Sequence, residues 1–217
     1  FTEYNRCIGL TENGSQTAVQ NKTAREAFNF KIKSGINYSS LSILSNITNH
    51  WNSTYPDKAA PALALDIEGI LPFHRNKWAL TLEPTWFRFR GATDISGGSA
   101  AVDYSAVELP IGIRHYFHLD ENNKLFMTYH IIPGMRIDFG STIRVYSTDY
   151  DVNPEFSMSF GGGYSYKRLS AEIRYYTNND LLGDYIEWST DYGRISLLIG
   201  YKFLKINSAR RKIHRNL

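Results

Sequence analysis

Between Arg194 and Phe203 the chain reads RISLLIGYKF, in which Ile195, Leu197, Ile199, Tyr201 and Phe203 alternate with Arg194, Ser196, Leu198, Gly200 and Lys202. A period of two defines a β-strand with two unlike faces. The pattern recurs about eight times along the chain, which implies a closed antiparallel sheet with one apolar and one polar surface. What such a chain folds into depends on which surface faces out.

The first repeat places Phe28, Phe30, Ile32, Ile36 and Tyr38 opposite Asn29, Lys31, Lys33, Gly35 and Asn37. Leu63, Leu65, Ile67, Leu71 and Phe73 form the next. His74-Arg75-Asn76-Lys77 turns it into a third carrying Trp78, Leu80, Leu82 and Trp86. Val107, Leu109, Ile111 and Ile113 mark a fourth, and Met127, Tyr129, Ile131, Met135 and Ile137 a fifth. Phe156 to Tyr166 and Leu169 to Tyr175 give two more before the closing strand. Short turns are expected at 74–77, 119–124 and 167–168, and longer loops at 44–60, 90–102, 140–154 and 177–192. Outer-membrane barrels show this asymmetry, with short periplasmic turns and long extracellular loops.

Volume decides which face is outside. An eight-stranded barrel has an interior only just wide enough for side chains to fill. Aromatics make up 14% of this chain, and the apolar faces carry Trp78, Trp86, Phe160, Tyr175 and Phe203 among many branched aliphatics. The polar faces carry Ser157, Ser159, Gly161 and Gly163 beside Glu68, Glu83, Glu108, Arg114, Arg136, Glu172 and Arg174. These charges are read as structural lumen residues, the carboxylates pairing with the arginines and with Lys31 and Lys33, because a charge in a narrow lumen needs a hydrogen-bonded partner. Closure in lipid also satisfies every backbone polar group. Phe73, Trp78, Phe117, Tyr166 and Phe203 gather beside the short turns, where a periplasmic aromatic girdle is expected.

The expected fold is an all-β, eight-stranded antiparallel up-and-down transmembrane β-barrel in the outer membrane of a Gram-negative cell. Residues 28–203 form the barrel, 1–27 a polar N-terminal periplasmic extension, partly helical around Thr17–Ala27, and 204–217 a basic periplasmic tail with Arg210, Arg211, Lys212 and Arg215. The segments FNFKIKSGINYSSLSI, DIEGILPFHRNKWALTLEPTW, VELPIGIRHYF and LLIGYKF resemble the outer-membrane β-barrel families of the Bacteroidota, the small barrels grouped with OmpA-, OmpX- and PorT-like proteins. The resemblance covers about residues 28–203 and implies a barrel without specifying chemistry.

Other function classes find little in the sequence. No apolar run approaches the roughly 20 residues of a membrane helix. The net charge of +3 with dispersed basic residues does not favour nucleic acid. Cys7 is the only cysteine, so no disulfide within the chain and no cysteine-based zinc site is expected. His130 and Asp138 are both read as inward, but eight residues along one strand is about 27 Å, too far for a shared site. Asp180, Asp184, Glu187 and Asp191 match no calcium-loop spacing and read as a solvated loop tip. The glycine run Gly161–Gly163 marks a bend or a close backbone approach. No catalytic residue, metal site or cofactor is assigned.

The expected partners are outer-membrane lipid and lipopolysaccharide, with other outer-membrane or periplasmic proteins. The functional expectation is a non-enzymatic structural or accessory subunit of a larger cell-envelope complex. A narrow solute channel and a lipid-acting outer-membrane enzyme are the alternatives.

Overall fold

The computed structural model describes residues 25–47, 52–95 and 98–208. Cys7, most of the expected N-terminal extension and the four basic residues of the tail lie outside the described residues. Residues Glu26–Ile206 form one compact unit.

Thirteen strands are present among the described residues, in an all-antiparallel sheet. They are β1 Glu26–Ser45, β2 Ser53–Ile70, β3 Trp78–Leu82, β4 Thr85–Ile95, β5 Gly98–Glu108, β6 Ile111–His118 and β7 Asn123–Ile132. The short β8 Arg136–Asp138, β9 Thr142–Val145 and β10 Thr148–Asp151 precede β11 Ser157–Tyr166, β12 Leu169–Asn179 and β13 Trp188–Asn207. Pairing runs β1-β13-β12-β11-β7-β6-β3-β2 and returns from β2 to β1. A branch continues from β2 through β4, β5, β9 and β10, with β8 paired to β5.

Proline interrupts several of the strand tracts. Pro84 separates β3 from β4, Pro110 separates β5 from β6, Pro133 follows β7, and Pro154 lies between β10 and β11. Proline has no N–H to give a ladder, so pairing lapses and resumes beyond it. Thus β2 pairs with β3 at Ile67↔Leu82 and with β4 at Ala64↔Thr85, the Leu65 N–H reaching the Pro84 carbonyl at 3.0 Å between them.

The three expected short turns are present. His74–Asn76 form a tight 3-10 turn in which all three residues have positive φ, and Lys167 at φ 53° turns β11 into β12. In the β6–β7 turn the Asp120 carboxylate accepts from the N–H groups of Asn122 (2.7 Å) and Asn123 (2.9 Å) and from the Asn123 side chain (2.7 Å). These bonds hold its pKa below the usual aspartate value. Their contribution is present at neutral pH and is lost as pH falls through that lowered pKa.

Three of the four expected long loops are largely strand. β1 runs to Ser45 and β2 starts at Ser53, β4 and β5 leave only 96–97 between them, and β9 and β10 form a hairpin. The reason is a reversal of polarity along each strand. On β1 the outward Phe28, Ile32, Ile36 and Tyr38 give way to Ser40, while the inward Lys31, Lys33 and Asn37 give way to Leu41 and Ile43. From β3 to β4 the inward series passes from Thr81, Glu83 and Thr85 to Phe87 and Phe89, and the outward one from Leu80 and Trp86 to Arg88 and Arg90. β13 passes inwardly from Ser196 and Arg194 to Tyr192 and Trp188.

One half of the ring is therefore polar inside and apolar outside, and the other is apolar inside with a mixed outer face that carries Arg88, Arg90 and Arg144 beside Leu44, Ile137 and Phe139. The second half encloses a core of Leu41, Ile43, Tyr55, Phe87, Phe89, Val102, Tyr104, Ile143, Leu181, Leu182, Trp188 and Tyr192. Tyr104 stacks edge-on against both Phe87 (5.0 Å) and Tyr192 (5.8 Å). Only 180–187 remains a loop, and it folds inward on Leu181 and Leu182. At the other end, the expected helix around Thr17–Ala27 is contradicted at Glu26 and Ala27, which belong to β1, and β13 continues past the expected boundary at 203 to Asn207.

Leu197 is 60% exposed on the outer face of the apolar-outside half. Leu197→Arg is expected to cost about 2–4 kcal/mol in urea unfolding from lipid vesicles, and Ser40→Arg beyond the reversal less than about 1 kcal/mol. Equal costs would remove the boundary between the two halves.

Candidate functional site

The lumen of the polar-inside half holds the densest concentration of chemistry among the described residues. β1 supplies Lys31 and Lys33, β2 supplies Asp66 and Glu68, β6 supplies Arg114, β12 supplies Glu172 and Arg174, and Glu83 projects from the Pro84 break. On β1, β2 and β12 the two residues sit two apart, so both side chains of each pair point inward. All eight are buried.

Lys33 is the hub. Its Nζ lies 2.6 Å from Glu83, 2.9 Å from Glu172 and 3.1 Å from Asp66. The Arg174 guanidinium forks onto both oxygens of Glu83 at 2.7 and 3.0 Å and reaches Glu172 at 2.7 Å. Arg114 bridges Asp66 (2.9 Å) and Glu68 (3.3 Å). Lys31 binds Glu68 at 3.0 Å, and the Tyr116 hydroxyl donates to the same carboxylate. Asn29 donates to Glu68 at 3.1 Å and Thr128 to Glu172 at 3.0 Å. Four cations thus face four carboxylates.

A second layer sits where the lumen changes character. Arg194 binds Glu108 at 2.7 Å, and Tyr104 donates to the same carboxylate at 3.2 Å. The Arg194 guanidinium lies 3.8 Å from the Tyr176 ring centre and 4.3 Å from that of Phe87, so its faces meet aromatic surface while its edge meets charge. Beyond this pair the interior is apolar.

The glycine run makes room for the network. A Cβ on Gly161 would lie 2.5 Å from Thr128 Oγ1 and 2.8 Å from a Glu172 oxygen, and one on Gly163 2.3 Å from the Ala171 carbonyl. The expected close approach is to carboxylate and neighbouring strand alike.

Of the lumen charges anticipated from sequence, Glu68, Glu83, Arg114, Glu172 and Arg174 meet in the first layer and Glu108 in the second. Arg136 does neither. It lies opposite Glu108 in register, but that carboxylate is taken by Arg194, and Arg136 is left 3.9 Å from Asp138. Asp138 keeps the expected register, opposite the inward Ala106 as Arg136 is opposite Glu108, but it is exposed and bonds Ser141. His130 is fully buried, with Nδ1 3.4 Å from Ser159 Oγ.

Asp66, Tyr116 and Arg194 were missed as site residues, although each is in the inward register of its strand. The acidic loop is also more than a solvated tip. Asp180 accepts from Leu182 N (2.9 Å), Thr190 N (3.1 Å) and Thr190 Oγ1 (2.8 Å), and Asp184 accepts from Asn153 (2.6 Å). No group of three or more histidine, cysteine or acidic residues among the described residues is placed to hold a metal ion.

The aromatic residues expected as a girdle stand at the short-turn end. Phe73, Phe117, Tyr166 and Phe203 are exposed on the outer face, and Trp78 packs half-buried on His115 at 4.4 Å.

No protein-family model matches the chain, and no curated protein matches it in sequence. Solved structures do match in shape. The outer membrane protein OprG from Pseudomonas aeruginosa aligns over 83% of this chain and 98% of its own length with a TM-score of 0.50 and 12% identity. The fold is that of an outer-membrane β-barrel. Neisserial surface protein A is similar at a TM-score of 0.48 and 12% identity, covering 82% of this chain and 100% of that one. Ail of Yersinia pestis is similar at 0.40 and 15% identity, covering 82% and 100%. An outer-membrane location follows from the barrel fold together with the exposed band of Ile32, Leu80, Ile113, Met127, Ile173, Leu197 and Ile199, a hydrocarbon surface that water would not tolerate.

Glu172→Ala leaves Lys33 and Arg174 each short of a carboxylate and is expected to cost about 3–5 kcal/mol. Gly161→Ala presses a methyl group into the same contacts and is expected to cost about 1–3 kcal/mol. Urea titrations of the barrel in vesicles, or the temperature at which its compact gel band disappears, check both. Unchanged stability in both variants would show that the network does not bear on the fold.

Proposed function

We propose that this protein is a sealed, non-enzymatic outer-membrane barrel acting as a structural or accessory subunit of a larger cell-envelope complex. The observation that carries the reading is a lumen filled at two successive levels: a charge-neutral network around Lys33, then an aromatic core around Phe87, Tyr104 and Tyr192. Side chains at both levels come from strands around the whole ring, so a passage would require the network and the core to part together. The same filling argues against the solute channel. Lipid-acting chemistry is disfavoured because His130 is fully buried, its Nδ1 3.4 Å from Ser159 Oγ, and cannot meet a lipid.

In this reading the thirteen strands are eight tracts, β1, β2, β3–β4, β5–β6, β7–β9, β10–β11, β12 and β13, with four of the five internal breaks at proline and the fifth at Phe139–Ser141. The short-turn end faces the periplasm, Phe73, Trp78, Phe117, Tyr166 and Phe203 lie at that interface, and the half with the apolar core stands beyond the opposite leaflet. Its outer surface suits water, with Arg88 and Arg90 on Asp103 (both 2.9 Å) and Arg144 on Asp149 (2.6 Å). The outer face of the spanning half meets lipid and lipopolysaccharide. The four resembling segments support kinship with the small OmpA-, OmpX- and PorT-like barrels of the Bacteroidota, and a barrel without a passage supports an accessory role beside proteins that act.

In planar bilayers the purified chain is expected to give no unitary conductance. Extracted from native membranes in mild detergent, it is expected to migrate in a stoichiometric assembly above its own 24.9 kDa. Reproducible single-channel steps would favour the solute channel, and migration only as a lone monomer would remove the subunit role.

A further inference from the structure

The short-turn mouth of the ring opens into a polar cavity of about 290 Å³ whose charge is unbalanced. Its floor is Lys31 and Tyr116, both already engaged with Glu68. Around it stand five further cations: Lys124 on β7, Lys202 and Lys205 on β13, and Lys167 and Arg168 in the β11–β12 turn. Glu26 and Glu121 are the carboxylates of the lining.

Glu26 binds Lys202 at 3.1 Å and Lys205 at 3.4 Å. Among the described residues, Lys124, Lys167 and Arg168 have no carboxylate within ion-pair distance. Their heads rest on aromatic groups instead: Lys124 5.4 Å from the Tyr116 ring centre, Lys167 5.1 Å from that of Tyr166, and Arg168 3.5 Å from the Tyr201 hydroxyl. The network beneath, with four cations and four carboxylates, offers the mouth no net negative charge. Like charges gathered in a concave site between low-dielectric walls focus a field that attracts an anion.

We propose that this vestibule binds a phosphate-bearing anion with the charge of a diphosphate. Five cations against two carboxylates leave room for about three negative charges, more than one carboxylate group carries. The Arg168 fork, the Lys124 and Lys167 ammonium groups and the hydroxyls of Ser165 and Ser170 supply donors to several phosphate oxygens at once. The phosphate belongs either to a soluble compound or to a lipid headgroup at the rim. The inference stands apart from the subunit role, because it concerns the local charge of one mouth.

The full chain in a non-ionic maltoside is titrated with pyrophosphate by calorimetry, and the chain in nanodiscs with or without phosphatidylglycerol is examined by native mass spectrometry for retained phospholipid. Saturable binding is expected in at least one arm, weakened about tenfold by K124Q/R168Q and by about 0.3 M salt, and left within about twofold by Lys58→Gln on the far half. Pyrophosphate binding alone assigns a soluble ligand, and variant-sensitive phospholipid retention alone assigns a headgroup; both support the site. K167Q/R168Q, confined to the exposed turn, replaces the first variant if that one loses its compact gel band. Binding in neither arm, or binding equal in wild type and variant, overturns the proposal, as does saturation of the mouth by an acidic peptide when pyrophosphate and phospholipid do not bind.

Discussion

The structure depends on the requirement that charge removed from water be paired. Lys31, Lys33, Arg114 and Arg174 are packed into the ring with Asp66, Glu68, Glu83 and Glu172, and all of the eight except Lys31, which pairs with Asp66 and Glu68 of the adjacent β2, have an ion partner on a non-adjacent strand. Lys33 on β1 is held by Asp66 on β2, Glu83 at the Pro84 break and Glu172 on β12. The pairings therefore act as cross-braces, fixing which strands face one another across the lumen. Such a network need not stabilise more than apolar residues of the same volume would. It does penalise any arrangement that leaves one member alone, and that penalty ties closure of the ring to a single register.

The reversal of polarity follows from the two solvents the strands must meet. In lipid the outer face must be hydrocarbon, so the polar groups go inward and pair. In the proposed orientation the same strands continue beyond the membrane, where the outer face meets water and the apolar residues turn in, as in an ordinary soluble β-structure. On β1 the side-chain period holds across the change, Lys31, Lys33, Asn37, Leu41 and Ile43 all occupying one face, whereas β2 and β12 each shift register near it. Only the chemical identity of that β1 face changes. Arg194 sits at the change, joining the Glu108 carboxylate to the Tyr176 and Phe87 rings.

Much of this was legible locally. Alternation gave the strands, the short turns and the inward face carrying Glu68, Glu83, Arg114, Glu172 and Arg174. The long loops were misread because the segments after Ser39 and Phe87 invert their polarity while strand pairing continues, which in sequence looks like the end of a strand. Asp138 keeps its expected parity across Pro133, opposite Ala106, yet it is exposed because β8 ends there and its carboxylate turns to Ser141. The choice of Arg194 over Arg136 as partner of Glu108 has no local signature at all, since both are basic and both lie near that carboxylate in the folded ring.

The sequence by itself determined a closed antiparallel sheet with a lipid-compatible exterior, because a period of two and the bulk of the ring side chains are properties of single strands and of the volume they enclose. Only the tertiary structure decided which charge meets which, where the lumen changes from ionic to aromatic, and that the short-turn mouth keeps an excess of cations. Those outcomes are sums over strands far apart in the chain. Lys124, Arg168 and Lys202 become one electrostatic site only after ring closure sets them around the same opening.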